Sequence, residues 1–346
     1  MSDHETISEP TVDANLEAAP GASAAPASEP TPAPAAAPQP NFFLIGAPKC
    51  GTTALAQYLS EHAQVFFANP KEPFFFSDDY PILREVHQME TLEAYLKLYS
   101  AAQPHHRAIG EGSTNYLNSE VAIQNILAFN AEAKFLVMLR DPVEVAHAFH
   151  GTLVYSFNED ERNFEKAWHL QAARRAGRAI PKTCRAPQFL QYGDVARFGE
   201  QMERFLDLVP APQRKIILFE DFVRNTRRSY CEVERFLGLD DDGRDKFPPV
   251  HGARTHRMAW LHKFFKRPPQ KLAGPILSLR RAMNNRQRGL VPYLKSKLHV
   301  RQQRDKLRPG FEEELRRFFE DDVRRLESLL QWDLKHWITG KRSAKR

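Results

Sequence analysis

The stretch Asn41-Phe-Phe-Leu-Ile-Gly-Ala-Pro-Lys-Cys-Gly-Thr-Thr53 decides how this chain is read. Phe42 to Ile45 form a short, continuous apolar run, the pattern of a strand covered on both faces. Gly46 and Gly51 bracket a turn, and Thr53-Ala-Leu-Ala-Gln-Tyr-Leu-Ser60 can begin a helix with Leu55, Tyr58 and Leu59 as its inward stripe. Strand, glycine turn and helix in this order predict the first unit of an open parallel α/β sheet, in which ligands bind at the strand ends.

The alternation continues downstream. A helical pattern over residues 92–99 precedes a short strand at Ala108-Ile109. Another over 121–129 precedes the apolar run Lys134-Phe-Leu-Val-Met-Leu139. Asp141-Pro142 then opens a helix with proline in its first turn. Residues 195–208 read as one helix, Lys215-Ile-Ile-Leu-Phe219 as a strand and residues 226–237 as a helix. On the last helix Phe311, Leu315, Phe318, Phe319, Leu326, Leu329 and Leu330 recur at helical spacing, and an exposed apolar face there would mark a homodimer. The expected fold class is α/β: a single P-loop-like three-layer domain with a central parallel sheet flanked by helices. Between about 240 and 308 the pattern is irregular.

Composition sets the limits of this domain. The 346 residues are 42% hydrophobic, enough for a large core, and no segment approaches the ~20 apolar residues of a membrane helix. Residues 1–40 hold eleven Ala, eight Pro and six acidic residues with no Lys or Arg, which predicts a disordered tail. The folded domain is expected over 41–338, with a basic tail over 339–346. The acidic start carries no basic n-region before an apolar run, and Cys50, Cys184 and Cys231 are too widely spaced for a disulfide framework or a zinc site. A cytoplasmic location and no metal are the expectations. From Arg254 to Arg308, sixteen Lys and Arg face the single acid Asp305, a field suited to anionic ligands.

The spacing Gly46-x4-Gly51 matches the nucleoside-triphosphate P-loop, but that pattern continues Gly-Lys-Ser/Thr. Here the continuation is Gly51-Thr52-Thr53, and the lysine stands earlier, at Lys49. Loop amides and the helix N-terminus can still cradle an anion, the threonine hydroxyls can donate to phosphate oxygens, and Lys49 can neutralise charge at a transferring group. A small-molecule kinase is the enzymatic alternative, yet no strand-ending Asp forms an evident magnesium partner.

Pro48-Lys-Cys-Gly-Thr-Thr53 resembles the 5′-phosphosulfate motif of sulfotransferases that use 3′-phosphoadenosine 5′-phosphosulfate (PAPS). The resemblance continues through Lys71-Glu-Pro-Phe-Phe-Phe76, Gly110-Glu-Gly-Ser-Thr-Asn-Tyr116, Leu139-Arg-Asp-Pro-Val-Glu144, Phe219-Glu-Asp-Phe222 and Phe236-Leu-Gly238 to a final helix ending near Trp337. It is closest to the bacterial and Golgi-type carbohydrate branch, chiefly through the Lys-Glu-Pro segment. It implies PAPS as sulfuryl donor, bound by Pro48, Lys49, Cys50, Gly51, Thr52 and Thr53 at its 5′ end and by Arg140 at its 3′-phosphate. It implies Glu72 as the base that takes the acceptor proton, with His147 as runner-up and Lys49 as the second catalytic residue. Phe74 to Phe76 are expected to anchor the loop, and Glu111, Ser113 and Tyr116 to shape an acceptor or central pocket. A structural role is expected for Glu220 and Asp221 at the end of the third strand.

Two positions depart from the family pattern. Ala148 stands where the family supplies a serine eight residues after the arginine: either His147 or a residue of the basic C-terminal loop replaces that contact, or PAPS affinity is weakened. No clean match exists for the family's basic closing loop. Arg286 and Arg288 are the nearest candidates for the 3′-phosphate. The expected acceptor is a hydroxyl or amine on a carbohydrate, glycolipid or other small molecule. A nucleic-acid module would explain the basic C-terminal third but not Lys49, Glu72 and Arg140 in this order, so no obligate nucleic-acid partner is expected.

Overall fold

In the computed structural model, residues 38–250, 254–256, 299–301 and 305–340 are described. The chain divides into Met1–Ala36 and Ala37–Arg346, and all the described residues belong to the second unit. The tail expected over 1–40 lies almost wholly outside the described residues, as do Arg286, Arg288 and residues 341–346.

The apolar run after Asn41 forms β1 (Phe42–Gly46), buried along its whole length. Such a strand needs neighbours on both sides. It lies at the centre of a five-stranded parallel sheet of order β2-β3-β1-β4-β5, with β2 (Val65–Phe67), β3 (Ala108–Glu111), β4 (Lys134–Leu139) and β5 (Arg214–Leu218). Phe43 pairs in register with Glu111 on one side and Phe135 on the other. The ring of Phe43 meets Phe76 edge-on at 5.8 Å and Phe135 at 6.1 Å. Strands alternating with helices force parallel pairing, because each crossover returns the chain to the same edge.

The helices follow the sequence closely at some points and depart from it at others. On the N-terminal side are α1 (Thr52–Ser60), α2 (Pro81–His87), α3 (Leu92–Leu96) and α4 (Ala122–Phe129). Residues 92–99 were expected as one helix. Instead α3 tightens into a 3-10 turn at Lys97–Tyr99. α5 (Pro142–Ser156) starts at the expected Asp141, whose carboxylate caps the helix by accepting from the Val143 amide at 2.9 Å. α6 (Phe164–His169) and α7 (Gln171–Arg175) follow.

The helix expected over 195–208 is two: α8 (Tyr192–Ala196) and α9 (Phe198–Leu208). The break has a tertiary cause. Asp322 reaches in from the last long helix and accepts from the amides of Gly199 (2.8 Å) and Glu200 (3.1 Å), so a new helix starts there. A Cβ on Gly199 would lie 2.4 Å from the Asp322 carbonyl oxygen, so glycine is needed for this approach.

β5 ends one residue early, and Phe219 opens α10 (Phe219–Arg224), followed by α11 (Thr226–Leu237). Glu220 and Asp221 therefore sit in a first helical turn, where acidic side chains favour the helix dipole, and do not end a strand. Two short strands, β6 (Arg254–His256) and β7 (His299–Arg301), pair antiparallel in the region that carries no clear sequence pattern.

α12 (Pro309–Leu330) buries Phe311, Leu315, Phe319, Val323 and Leu326, and α13 (Lys335–Thr339) adds Trp337 to the core. Phe318, 40% exposed, carries the Arg197 guanidinium 4.9 Å from its ring. No described helix is long and apolar enough to cross a membrane.

Candidate active site

In a sheet of order β2-β3-β1-β4-β5, the connections from β1 and β4 leave in opposite directions. A crevice therefore opens between them at the C-terminal edge. The segment from Ala47 to Gly51 occupies this crevice. The Ala47 amide donates to the Met138 carbonyl at 2.6 Å, which ties the turn to β4. Lys49 is exposed and adopts a left-handed backbone (φ 67°), and Gly51 at φ 90° turns the chain into α1. A Cβ on Gly51 would lie 2.9 Å from the Phe219 ring, so both its dihedral and its surroundings require glycine.

The N-terminus of α1 has the chemistry to accept an anion. No side chain caps it and no acid lies in its first turn. Among the described residues no backbone carbonyl accepts from the amides of Gly51, Thr52 or Thr53. Cys50 is fully buried and its thiol is pushed well above the ordinary range by burial, so it packs and does not react.

Arg140 follows β4 on the other side of the crevice. Its guanidinium lies 4.6 Å from the centre of the Phe219 ring, reaches the Lys49 carbonyl at 3.4 Å and pairs with Glu144 at 3.0 Å. Its backbone is held through Asp141, which pairs with Arg316 from α12 at 3.2 Å and whose amide meets Glu220 Oε1 at 3.5 Å. Glu220 thus acts on the Asp141 backbone, while Asp221 pairs with Arg224. Ala148 is buried on α5, and the His147 ring stacks on Phe164 at 5.1 Å and 13°.

Glu72 sits on the loop after β2. Like Lys49 it is left-handed, at φ 66°, and Phe74 repeats this at φ 56°. A cluster of such residues outside glycine is costly and is held in place by its surroundings. Glu72 Oε1 accepts from Lys71 Nζ at 2.9 Å and from Thr114 Oγ1 at 3.0 Å, and its side chain is 36% exposed. The rest of the loop is anchored as expected. Phe74 and Phe76 are buried, and Phe75 stacks on Tyr95 at 4.6 Å.

The loop after β3 joins these parts. Leu117 donates its amide to the Ile45 carbonyl at 2.9 Å, and a Cβ on Gly46 would lie 3.0 Å from the Thr114 carbonyl oxygen. Thr114 therefore touches the β1 turn with its backbone and Glu72 with its side chain.

Glu111, Ser113 and Tyr116 do not form an open pocket. All three are fully buried beneath the Glu72 loop. Burial pushes the Glu111 carboxyl up to about 7, against hydrogen bonds from Ser113, Tyr116 and Tyr95 that lower it. His87 on α2 had no sequence signal. It packs edge-on against Phe74 at 5.3 Å, and burial lowers its pKa while the Glu72 charge opposes that shift.

The sulfotransferase domain model matches residues 39–247, from the strand before the turn into the loop beyond α11. The chain belongs to the sulfotransferase family. A sulfotransferase from Alicyclobacillus acidocaldarius has a similar structure, with a TM-score of 0.63, 26% identity, and coverage of 87% of this chain and 99% of that one. Membrane-associated sulfotransferase kil1 of Dictyostelium discoideum is 31% identical over 30% of this chain. Carbohydrate sulfotransferase 15 of Mus musculus is 34% identical, also over 30% of this chain. These matches span only 21% and 26% of the two relatives' own lengths. Within the sulfotransferase family match lie Lys49, Glu72 and Arg140, while Arg286 and Arg288 fall beyond it.

Proposed function

We propose that this sulfotransferase moves a sulfuryl group from PAPS to a hydroxyl or amine of a carbohydrate or glycolipid. One observation carries the reading. An all-donor cradle (Lys49, the Gly51–Thr53 amides and Arg140) and a separately held carboxylate (Glu72) lie at the same edge of one parallel sheet. The donor set fits PAPS by its chemistry, since cations, amides and hydroxyls match phosphate and sulfate oxygens.

The 5′-phosphosulfate is held by the Pro48–Thr53 turn and the first turn of α1, and the 3′-phosphate by the Arg140 fork. PAPS supplies an activated sulfuryl group: its sulfur–oxygen bond to the 5′-phosphate breaks as the acceptor bonds to sulfur, and adenosine 3′,5′-bisphosphate leaves. Lys49 neutralises negative charge growing on the departing phosphate oxygen. Glu72 takes the acceptor proton. Lys71 and Thr114 both engage Oε1, which leaves Oε2 to receive that proton. The carbohydrate assignment draws on the similarity to a carbohydrate sulfotransferase and on the basic excess from Arg254 to Arg308, which suits an acidic glycan.

Incubation with sulfur-35-labelled PAPS and a panel of oligosaccharides and glycolipids tests the reading. A labelled product whose mass rises by one sulfate is expected. Label transfer from γ-phosphate-labelled ATP with magnesium, and none from PAPS, would replace it with the kinase reading.

A further inference from the structure

The Glu72 loop is held at every second residue. Its amides at Glu72, Phe74 and Phe76 donate to Gly112 O (3.0 Å), Ser113 Oγ (3.1 Å) and Tyr116 Oη (3.3 Å). The first acceptor is a backbone carbonyl and always presents lone pairs. The other two are hydroxyls, which can either donate or accept, so something must set their direction.

Glu111 sets it. Its Oε2 accepts from Ser113 at 2.6 Å, and its Oε1 accepts from Tyr116 at 2.8 Å and Tyr95 at 3.2 Å. Tyr99 in turn donates to Tyr95 at 2.9 Å. An ionised carboxylate can only accept, so Ser113 and Tyr116 each direct their proton to Glu111 and turn a lone pair toward the loop amides. The titratable groups facing this carboxylate are Tyr95, Tyr99 and Tyr116, and the Lys71 charge favours its ionised form. All six oxygens of the network belong to fully buried residues, so water cannot substitute for a misdirected hydroxyl.

We propose that Glu111 is the positioning residue of this site: through Ser113 and Tyr116 it holds the loop in the left-handed conformation that presents Glu72. This rests on Glu72 being the base, but the arrangement of the loop is testable without that assumption. Glu111→Gln keeps the shape and reverses the logic. Its amide must donate to one neighbour, which leaves a hydroxyl proton without an acceptor and turns a lone pair away from the loop. Ser113→Ala removes the acceptor for Phe74 and leaves the carboxylate in place.

Hydrogen–deuterium exchange of the full chain gives the first readout. In Glu111→Gln and in Ser113→Ala, amides of residues 72–77 should exchange at least tenfold faster, with residues 42–60 within twofold of the wild type. The second readout is kinetic. The turnover number should fall on the order of tenfold or more, with affinity for adenosine 3′,5′-bisphosphate within twofold.

Unchanged loop exchange in Ser113→Ala would overturn the proposal, even if Glu111→Gln does not fold. So would a loosened loop with full turnover in a protein that Glu72→Gln inactivates. If the wild type transfers no sulfuryl group, the function reading fails, and the exchange data still decide the role of Glu111.

Discussion

Thr114 donates its hydroxyl to Glu72 Oε1 at 3.0 Å, while its carbonyl oxygen stands 3.0 Å from where a Cβ on Gly46 would be. One residue after β3 thus fixes the carboxylate relative to the turn that ends β1. The site needs no long-range coupling. It is built where four neighbouring strands finish at one edge, and errors in any of the four loops should register in the others.

Replacing Arg140 by Lys should weaken binding of adenosine 3′,5′-bisphosphate on the order of tenfold or more, because lysine keeps the charge but loses the planar fork and the stack on Phe219. Isothermal titration measures this directly. Undiminished affinity would remove Arg140 from the 3′-phosphate site.

Gly51→Ala should destabilise the fold by about 2 kcal/mol or more, since φ of 90° disfavours any side chain and the added methyl would press on Phe219. Urea unfolding followed by tryptophan fluorescence reports the loss. Because Phe219 also supports Arg140, nucleotide affinity should fall in the same variant.

Much of this was legible in the chain itself. The β1 turn, Arg140 after β4 and Glu72 after Lys71 are local features, each a few residues long, and each lies where the motif order implies. β2 escaped because three residues, Val65 to Phe67, are too short to show a period. The break between α8 and α9 escaped because its cause, Asp322, comes from 123 residues downstream. Glu111, Ser113 and Tyr116 were legible as a group but not in direction. Alternation on a short strand does not show that a carboxylate points beneath a loop and not into a pocket. His87 carried no signal because its partners Phe74 and Glu72 are gathered only by tertiary packing.

A second buried network is structural. Arg174 bridges both oxygens of Glu159 at 2.7 and 2.8 Å, Tyr192 donates to the same carboxylate, and both charged side chains are almost fully buried. Arg174→Met should cost about 3–5 kcal/mol, because it strands a buried carboxylate. The double variant Arg174→Met with Glu159→Leu should recover more than half of that loss in chemical denaturation.

Glu111→Gln should also change the pH dependence of stability. Burial raises the Glu111 carboxyl from its ordinary 4.5 to about 7, so the folded state holds this proton more tightly than the unfolded chain. Its contribution is fully present below 4.5 and lost as pH rises through 7. Relative to Glu111→Gln, the wild type should lose up to about 3 kcal/mol between pH 4.5 and 8. Parallel unfolding curves across that range would contradict the assignment of a raised pKa.

The most direct test is single-turnover sulfuryl transfer from labelled PAPS to an identified acceptor, measured for the wild type, Lys49→Ala and Glu72→Gln beside their nucleotide affinities. The predicted result is a fall on the order of a hundredfold or more in both variants, with Glu72→Gln still binding adenosine 3′,5′-bisphosphate as the wild type does. Retention of the wild-type transfer rate by Glu72→Gln would contradict the account.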